Sequence, residues 1–94
     1  MRQVRPRTTF KQDLKRERKG RYRIDVEVEL WKVIDNLADN IPLDPSYNDH
    51  PLHGKWKGAR DCHVKPDLLL LYRFEGDDLL ILERLGTHSE IFGL

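Results

Sequence analysis

The stretch Leu68-Leu69-Leu70-Leu71-Tyr72-Arg73-Phe74-Glu75-Gly76-Asp77-Asp78-Leu79-Leu80-Ile81-Leu82-Glu83-Arg84-Leu85 sets the architecture. Leu68 to Phe74 is almost wholly apolar, the pattern of a central strand covered on both faces. Glu75-Gly76-Asp77-Asp78 has the length and composition of a hairpin turn, and Leu79 to Leu85 reads as the returning strand. Upstream, from Trp56, the period is two. Trp56, Cys62 and Val64 are expected on one face, and Lys55, Lys57, Asp61 and His63 on the other. Pro66 ends this strand. Three sequential strands joined by short turns predict an antiparallel meander.

Ile41 to Gly54 contains Pro42, Pro45, Asn48 and Pro51 and reads as an ordered loop. Before it, Val26, Leu30, Val33, Ile34 and Leu37 recur at helical spacing, so a helix is expected over about Ile24 to Ala38. Asp25, Glu27, Glu29, Lys32 and Asp35 fall largely off that stripe, and Trp31 flanks it. Thr9 followed by Gln12 resembles a capping box, and Phe10 and Leu14 share a helical face. A shorter helix is therefore expected from Phe10 to about Lys19, ended by Gly20. The two helices form an antiparallel hairpin. Residues 2–8 alternate loosely around Val4 and suit a short edge strand, where Pro6 is tolerated. The predicted order is β-α-α-β-β-β: an α+β fold with the helix pair on one face of the sheet.

A chain of 94 residues is expected to form one domain, 1–94, with a core too small for a large internal cofactor pocket. The single cysteine, Cys62, excludes an internal disulfide and a multi-cysteine zinc site. No apolar run approaches the roughly 20 residues of a membrane span. Arg2, Arg5 and Arg7 have no apolar stretch behind them, so the N-terminus does not read as a secretory signal. A soluble, cytoplasmic protein is the expectation. The net charge of +1 conceals an asymmetry: residues 1–23 carry ten Lys/Arg and two acids, the rest seven and fourteen. A basic segment on a small protein suggests a polyanion or an acidic protein as partner.

All four histidines, His50, His53, His63 and His88, lie in the second half of the chain, in two tight blocks, residues 49–67 and 86–93. Histidine titrates closest to neutrality, so it serves as acid or base with little tuning. His50, His63, Asp67 and His88 have the right chemistry for cutting RNA. His50 and His53, spaced i, i+3, can also be read as part of a metal-ligand set completed by His63, His88 and Asp67. Such spacing in a proline-rich loop is a weak signal, and the expectation is no metal and no cofactor.

The ordered series Asp49-His50-Pro51-Leu52, Gly54, Trp56-Lys57-Gly58, Arg60-Asp61, His63-Val64, Pro66-Asp67, Glu83-Arg84, Gly86-Thr87-His88 and Phe92-Gly93 resembles the RelE/ParE superfamily of bacterial type II toxins. Within it the chain is most similar to the YafQ branch of ribosome-dependent mRNA interferases. The resemblance covers roughly residues 41–93; the N-terminal half matches in element order and basic character. It implies a microbial-RNase-like fold with a twisted antiparallel sheet and a helix hairpin on one side. It implies metal-independent cleavage of messenger RNA in the ribosomal A site and neutralisation by a cognate antitoxin, acidic or of ribbon-helix-helix type. Operator DNA would be bound only through the toxin–antitoxin complex. The family's catalytic group falls on His50, His63, Asp67 and His88, with Asp61 and Phe92 in support.

In such a reaction a base removes the 2′ proton, an acid protonates the leaving 5′-oxygen, and positive charge stabilises the phosphorane. His50 or Asp67 is a candidate base and His88 the candidate acid. His63 can orient the phosphate or share a proton, and Asp61 can fix its tautomer or raise its pKa. Lys55, Lys57, Arg60 and Arg84 are candidate RNA contacts, and Phe92 can stack on a base. The basic N-terminal segment is expected to meet ribosomal RNA, with charge reversal at Arg16 and Arg18 weakening ribosome association more than stability. Two other readings compete. One is a ParE-type poison of DNA gyrase that acts by binding. The other is a catalytically decayed toxin that survives as an antitoxin-binding protein.

Overall fold

Along the chain run strand β1 (Gln3–Pro6), helix α1 (Thr8–Glu17), helix α2 (residues 23–38), strands β2 (His50–Pro51), β3 (Arg60–Lys65), β4 (Leu68–Glu75) and β5 (Leu79–Gly86), and helix α3 (His88–Phe92). The computed structural model describes residues 1–93. The sheet order is β1-β5-β4-β3-β2. Strand β4 forms its centre, pairing antiparallel with both β3 and β5.

Leu68 to Tyr72 are all fully buried. Leu68, Leu70 and Tyr72 pack with Phe10, Val26, Leu30, Val33, Ile34 and Leu37 beneath the helix pair. Leu69 and Leu71, on the opposite face by alternation, pack with Ile91 under Leu52, Trp56 and Phe92. Both faces are therefore dry, which is why the strand has no polar phase. Its second cover is α3 with the loop before β3, neither of which the sequence reading placed there. A bulge in the β4–β5 ladder, where Leu71 faces Arg84 but Tyr72 faces Leu82, keeps Leu82 and Leu85 in the same layer despite their odd spacing.

The helix expected over 24–38 is present and its apolar stripe is buried, but it is not uniform. A turn at Arg23–Asp25 leads into a π-helical segment, Val26–Leu30, and then regular helix over Trp31–Ala38. The first helix starts earlier than expected, at Thr8, and no side chain caps it. The Thr9 hydroxyl instead donates to the Glu83 carbonyl at 2.9 Å, tying α1 to β5. β1 is an edge strand, as expected, but it runs parallel to β5, the one parallel pair among the described residues.

Two expectations need correction. Residues 41–54 are not all loop: His50 and Pro51 pair with Asp61 and Arg60 as a two-residue strand, too short to show a period. Trp56 does not share a face with Cys62 and Val64. It sits in a 3₁₀ turn, Gly54–Trp56, between Gly54 and Gly58 at φ +68° and +95°. These left-handed glycines reset the alternation, and Trp56 ends on the opposite side of the sheet. No helix among the described residues is long and apolar enough to cross a membrane.

Candidate active site

Strand pairing assembles the histidines. The β2–β3 ladder sets His50 opposite Asp61. One pleat along, His63 shares the face of Asp61. A row then runs across the sheet from His63 to Leu69 to Gly86, two residues before His88. The ring centroids of His50 and His63 lie 6.0 Å apart, and those of His63 and His88 5.6 Å. Three imidazoles thus line one rim, beside the cluster of Leu69, Leu71 and Ile91.

Two of the three are held by hydrogen bonds, each to a different partner. His88 opens α3, whose N-terminus is fixed by a capping box: the Thr87 hydroxyl accepts from the Glu90 N–H, and the Glu90 carboxylate accepts from the Thr87 N–H. Asp67, in the turn between β3 and β4, accepts from the His88 backbone N–H at 3.0 Å and from its ring Nδ1 at 2.6 Å. These two hydrogen bonds hold the Asp67 carboxyl below the usual range. They also leave His88 Nε2 as the working nitrogen. At His50, Nδ1 lies 2.7 Å from the Asn48 carbonyl, which only accepts, so Nδ1 carries the proton. The bare Nε2 of neutral His50 is the nitrogen that faces Asp61.

Asp61 is buried, with Oδ2 3.7 Å from Nε2 of both His50 and His63. That is too long for a hydrogen bond, so Asp61 acts on the rings through charge and does not clamp a tautomer. Burial pushes its carboxyl upward, opposed by the neighbouring imidazoles. Its Oδ1 is buried without a partner. One ligand atom from each of His50, Asp61 and His63 lies within 4.8 Å of the others. Two imidazole nitrogens and a carboxylate suit a transition ion, and the orphaned Oδ1 adds a donor. His53, the other half of the i, i+3 pair in the sequence, is outside this group, exposed at the start of the 3₁₀ turn.

The other candidates separate. Lys55 and Lys57 are exposed around that turn. Arg60 instead bonds Asp49 through Nε at 3.1 Å, and Asp49 also accepts from the Tyr72 hydroxyl at 2.6 Å, so this pair anchors the residue before His50. Arg84 is engaged by Asp13, Nε to Oδ2 at 2.6 Å and Nη2 to Oδ1 at 3.2 Å. Phe92 packs half-buried on the Leu69–Leu71–Ile91 cluster. Sequence reasoning gave no role to Asp13, Asp49 or Glu90. Only Glu90 left a local trace, as the fourth residue of Thr87-His88-Ser89-Glu90.

A small sheet with a helix pair on one face and three imidazoles along the other fits the endoribonuclease class of bacterial toxins. The chain belongs to the YafQ family: the model of that family, described as a bacterial toxin of type II toxin–antitoxin system, YafQ, matches residues 2–93. The chain is 42% identical over 87 residues to the mRNA interferase toxin YafQ of Escherichia coli K12, covering 82% of this chain and 94% of that protein. Among solved structures it is similar to the E. coli DinJ–YafQ toxin–antitoxin complex, at 40% identity, TM-score 0.84 and 98% coverage of both chains. It is also similar to a metal-bound toxin from Helicobacter pylori, at 42% identity and TM-score 0.81, covering 98% of this chain and all of that one.

Proposed function

We propose that this toxin cuts messenger RNA in the ribosomal A site, using the RNA's own 2′-hydroxyl and no metal. The observation that carries this is the ring of His88, held by Asp67 at one nitrogen and free at the other, in line with His63 and His50. His50 Nε2 takes the 2′ proton as the 2′-oxygen attacks phosphorus. His88, protonated, gives its Nε2 proton to the departing 5′-oxygen. The products are a 2′,3′-cyclic phosphate and a 5′-hydroxyl. His63, between them, holds the phosphate while charge develops on it. Asp67 serves His88 rather than acting as base, because a carboxyl held below its usual range is a poor proton acceptor.

Lys55 and Lys57 are placed to contact flanking phosphates. Ribosomal RNA would be met by Lys11 and Lys15, exposed at i and i+4 on α1, and by exposed Lys19 just past its end. Several arginines of the basic segment are otherwise engaged: Arg7 with Glu83 and Arg18 with Glu27. Arg16 bonds Asp13, Glu17 and the Leu85 carbonyl, so charge reversal at Arg16 and Arg18 would draw on stability as well as on ribosome association. The partner in the cell would be a cognate antitoxin, acidic or of ribbon-helix-helix type, with operator DNA bound through the complex and the toxin acting in the cytoplasm.

The test is induced expression of the wild type beside His88→Ala, with 5′ ends mapped on a translated reporter. Growth arrest with in-frame cuts, both abolished in the variant, is the expected result. Arrest that persists without cuts would move the reading to a gyrase-type binding poison. A second reading concerns control. His50, Asp61 and His63 are both proton-handling groups and a fitting ligand set, so a bound transition ion would hold them out of acid–base work.

A further inference from the structure

One charged cluster lies outside the proton-transfer scheme. Arg16 reaches α1, β5 and α3 at once: Nη1 is 3.0 Å from Asp13 Oδ1, Nε 2.9 Å from Glu17 Oε2 and 3.0 Å from Glu90 Oε2, and Nη2 donates to the Leu85 carbonyl at 3.0 Å. Asp13 and Glu17 are buried. Glu90 completes the capping box of α3, its Oε1 bonded to the Thr87 N–H at 2.9 Å. Thr87 directly precedes His88. The packing is close at Gly86, where a Cβ would lie 2.8 Å from Arg16 Nη2 and 3.0 Å from Glu90 Oε1, so the ends of both side chains would have to shift to admit one.

We infer that Arg16 and Glu90 form a positioning bridge that aims the His88 ring, anchoring the first turn of α3 to the buried acids of α1. The inference rests on His88 being the proton donor. A helix of five residues has almost no stability of its own, so its angle is set by what grips it. The hydrogen bond from His88 to Asp67 is exposed on both sides and competes with water. Asp67 selects which nitrogen works, whereas the bridge determines where the ring stands. On the same logic Asp13, which also takes the Leu85 N–H at 3.0 Å, fixes the strand from which α3 departs.

Two variants disturb the bridge by independent routes. Glu90→Gln keeps an oxygen for the Thr87 N–H but removes the charge that faces Arg16. Gly86→Ala removes no charge and wedges a methyl group between the two side chains. Each is compared with wild type and His88→Ala for kcat and KM on translated mRNA, for melting, and for the downfield NMR signal of the His88 Nδ1 proton. The expected result is a kcat lower by about ten- to a hundredfold, KM within about twofold, melting close to wild type, and a shifted or broadened His88 signal. Wild-type kcat with an unmoved His88 signal in a folded variant would overturn the bridge while leaving the ribonuclease reading intact. If Glu90→Gln does not fold, Gly86→Ala decides by the same criteria. Cutting at the wild-type rate by His88→Ala would overturn the acid assignment, and the bridge with it.

Discussion

Truncation of Asp13 to Ala should cost this protein a large share of its stability. The Asp13 side chain is 5% exposed, and its two oxygens accept four hydrogen bonds: from Arg84 Nε and Nη2, from Arg16 Nη1 and from the Leu85 N–H. Removing one partner of a buried charged pair typically costs about 3–5 kcal/mol, because the other partners stay behind unpaired. Here the arginine side chains retain 23% and 43% exposure and can be rehydrated in part. The buried Leu85 N–H cannot. We therefore expect a loss near the lower end, about 3 kcal/mol. At roughly 4–8 °C per kcal/mol for a domain of this size, Tm should fall by roughly 12–24 °C. The assay is denaturant unfolding followed by tryptophan fluorescence, since Trp31 reports the helix face and Trp56 the other. Arg84→Ala and the double variant complete a cycle, and the coupling energy should be about 2 kcal/mol. An Asp13→Ala loss below about 1 kcal/mol, or a coupling near zero, would refute the assignment of Arg84 to the fold. Arg84 would then return to the RNA contacts.

Other predictions follow from the site. Asp67→Asn should melt like the wild type, since the Asp67–His88 contact is exposed, yet cut about ten- to a hundredfold more slowly; an unchanged rate would remove Asp67 from the scheme. Asp61→Asn should raise stability at neutral pH. A buried acid whose folded pKa lies above the unfolded one is destabilising once pH exceeds the unfolded value, so wild-type stability should fall as pH climbs from there to the folded value. That fall should be missing in Asp61→Asn, and identical stability–pH profiles would contradict it. Lys11→Glu/Lys15→Glu/Lys19→Glu should weaken ribosome binding and flatten its salt dependence without lowering Tm; a salt slope equal to the wild type's would exclude the stripe as the docking surface. Cobalt(II), monitored by its absorption spectrum, should bind His53→Ala like the wild type and His63→Ala roughly tenfold or more weakly; equal binding by both variants would place the ion elsewhere.

The parts of the fold that sequence revealed are those where one physical demand dominates. Leu68 to Tyr72 are apolar at every position because both faces are dry, and the five residues of the α2 stripe are apolar because all five are buried. Where two demands meet, the pattern fails. Trp56 belongs to the apolar phase of β3 by count, but Gly54 and Gly58 turn the chain between them. The π-helical segment Val26–Leu30 leaves no mark, since Val26 and Leu30 keep the spacing of an ordinary helix. The hydroxyl of Thr9, where a capping box is expected, bonds β5 instead, while the true box, Thr87 to Glu90, leads into only five helical residues, too few to show a period.

The site divides along the same line. Histidines can be singled out by type, because little else titrates near neutrality. Which of them meet is a matter of register: His53 is three residues from His50 and stands apart, whereas His63 and His88 are 25 residues apart and share an edge. The arginines are the harder case. In sequence Arg16 and Arg84 are simply cations in a charged chain, and a cation suggests RNA. Asp13 turns both into structure, across a separation of 71 residues in the case of Arg84. A buried carboxylate needs such partners to exist at all, so the acids, not the bases, reveal which arginines are free. Asp13, Glu17 and Glu83 are the buried acids apart from Asp61, and together they claim Arg7, Arg16, Arg73 and Arg84. The charge left for a polyanion is then carried largely by lysines: Lys11 and Lys15 on α1, Lys19 just past its end, and Lys55 and Lys57 at the 3₁₀ turn that follows His53.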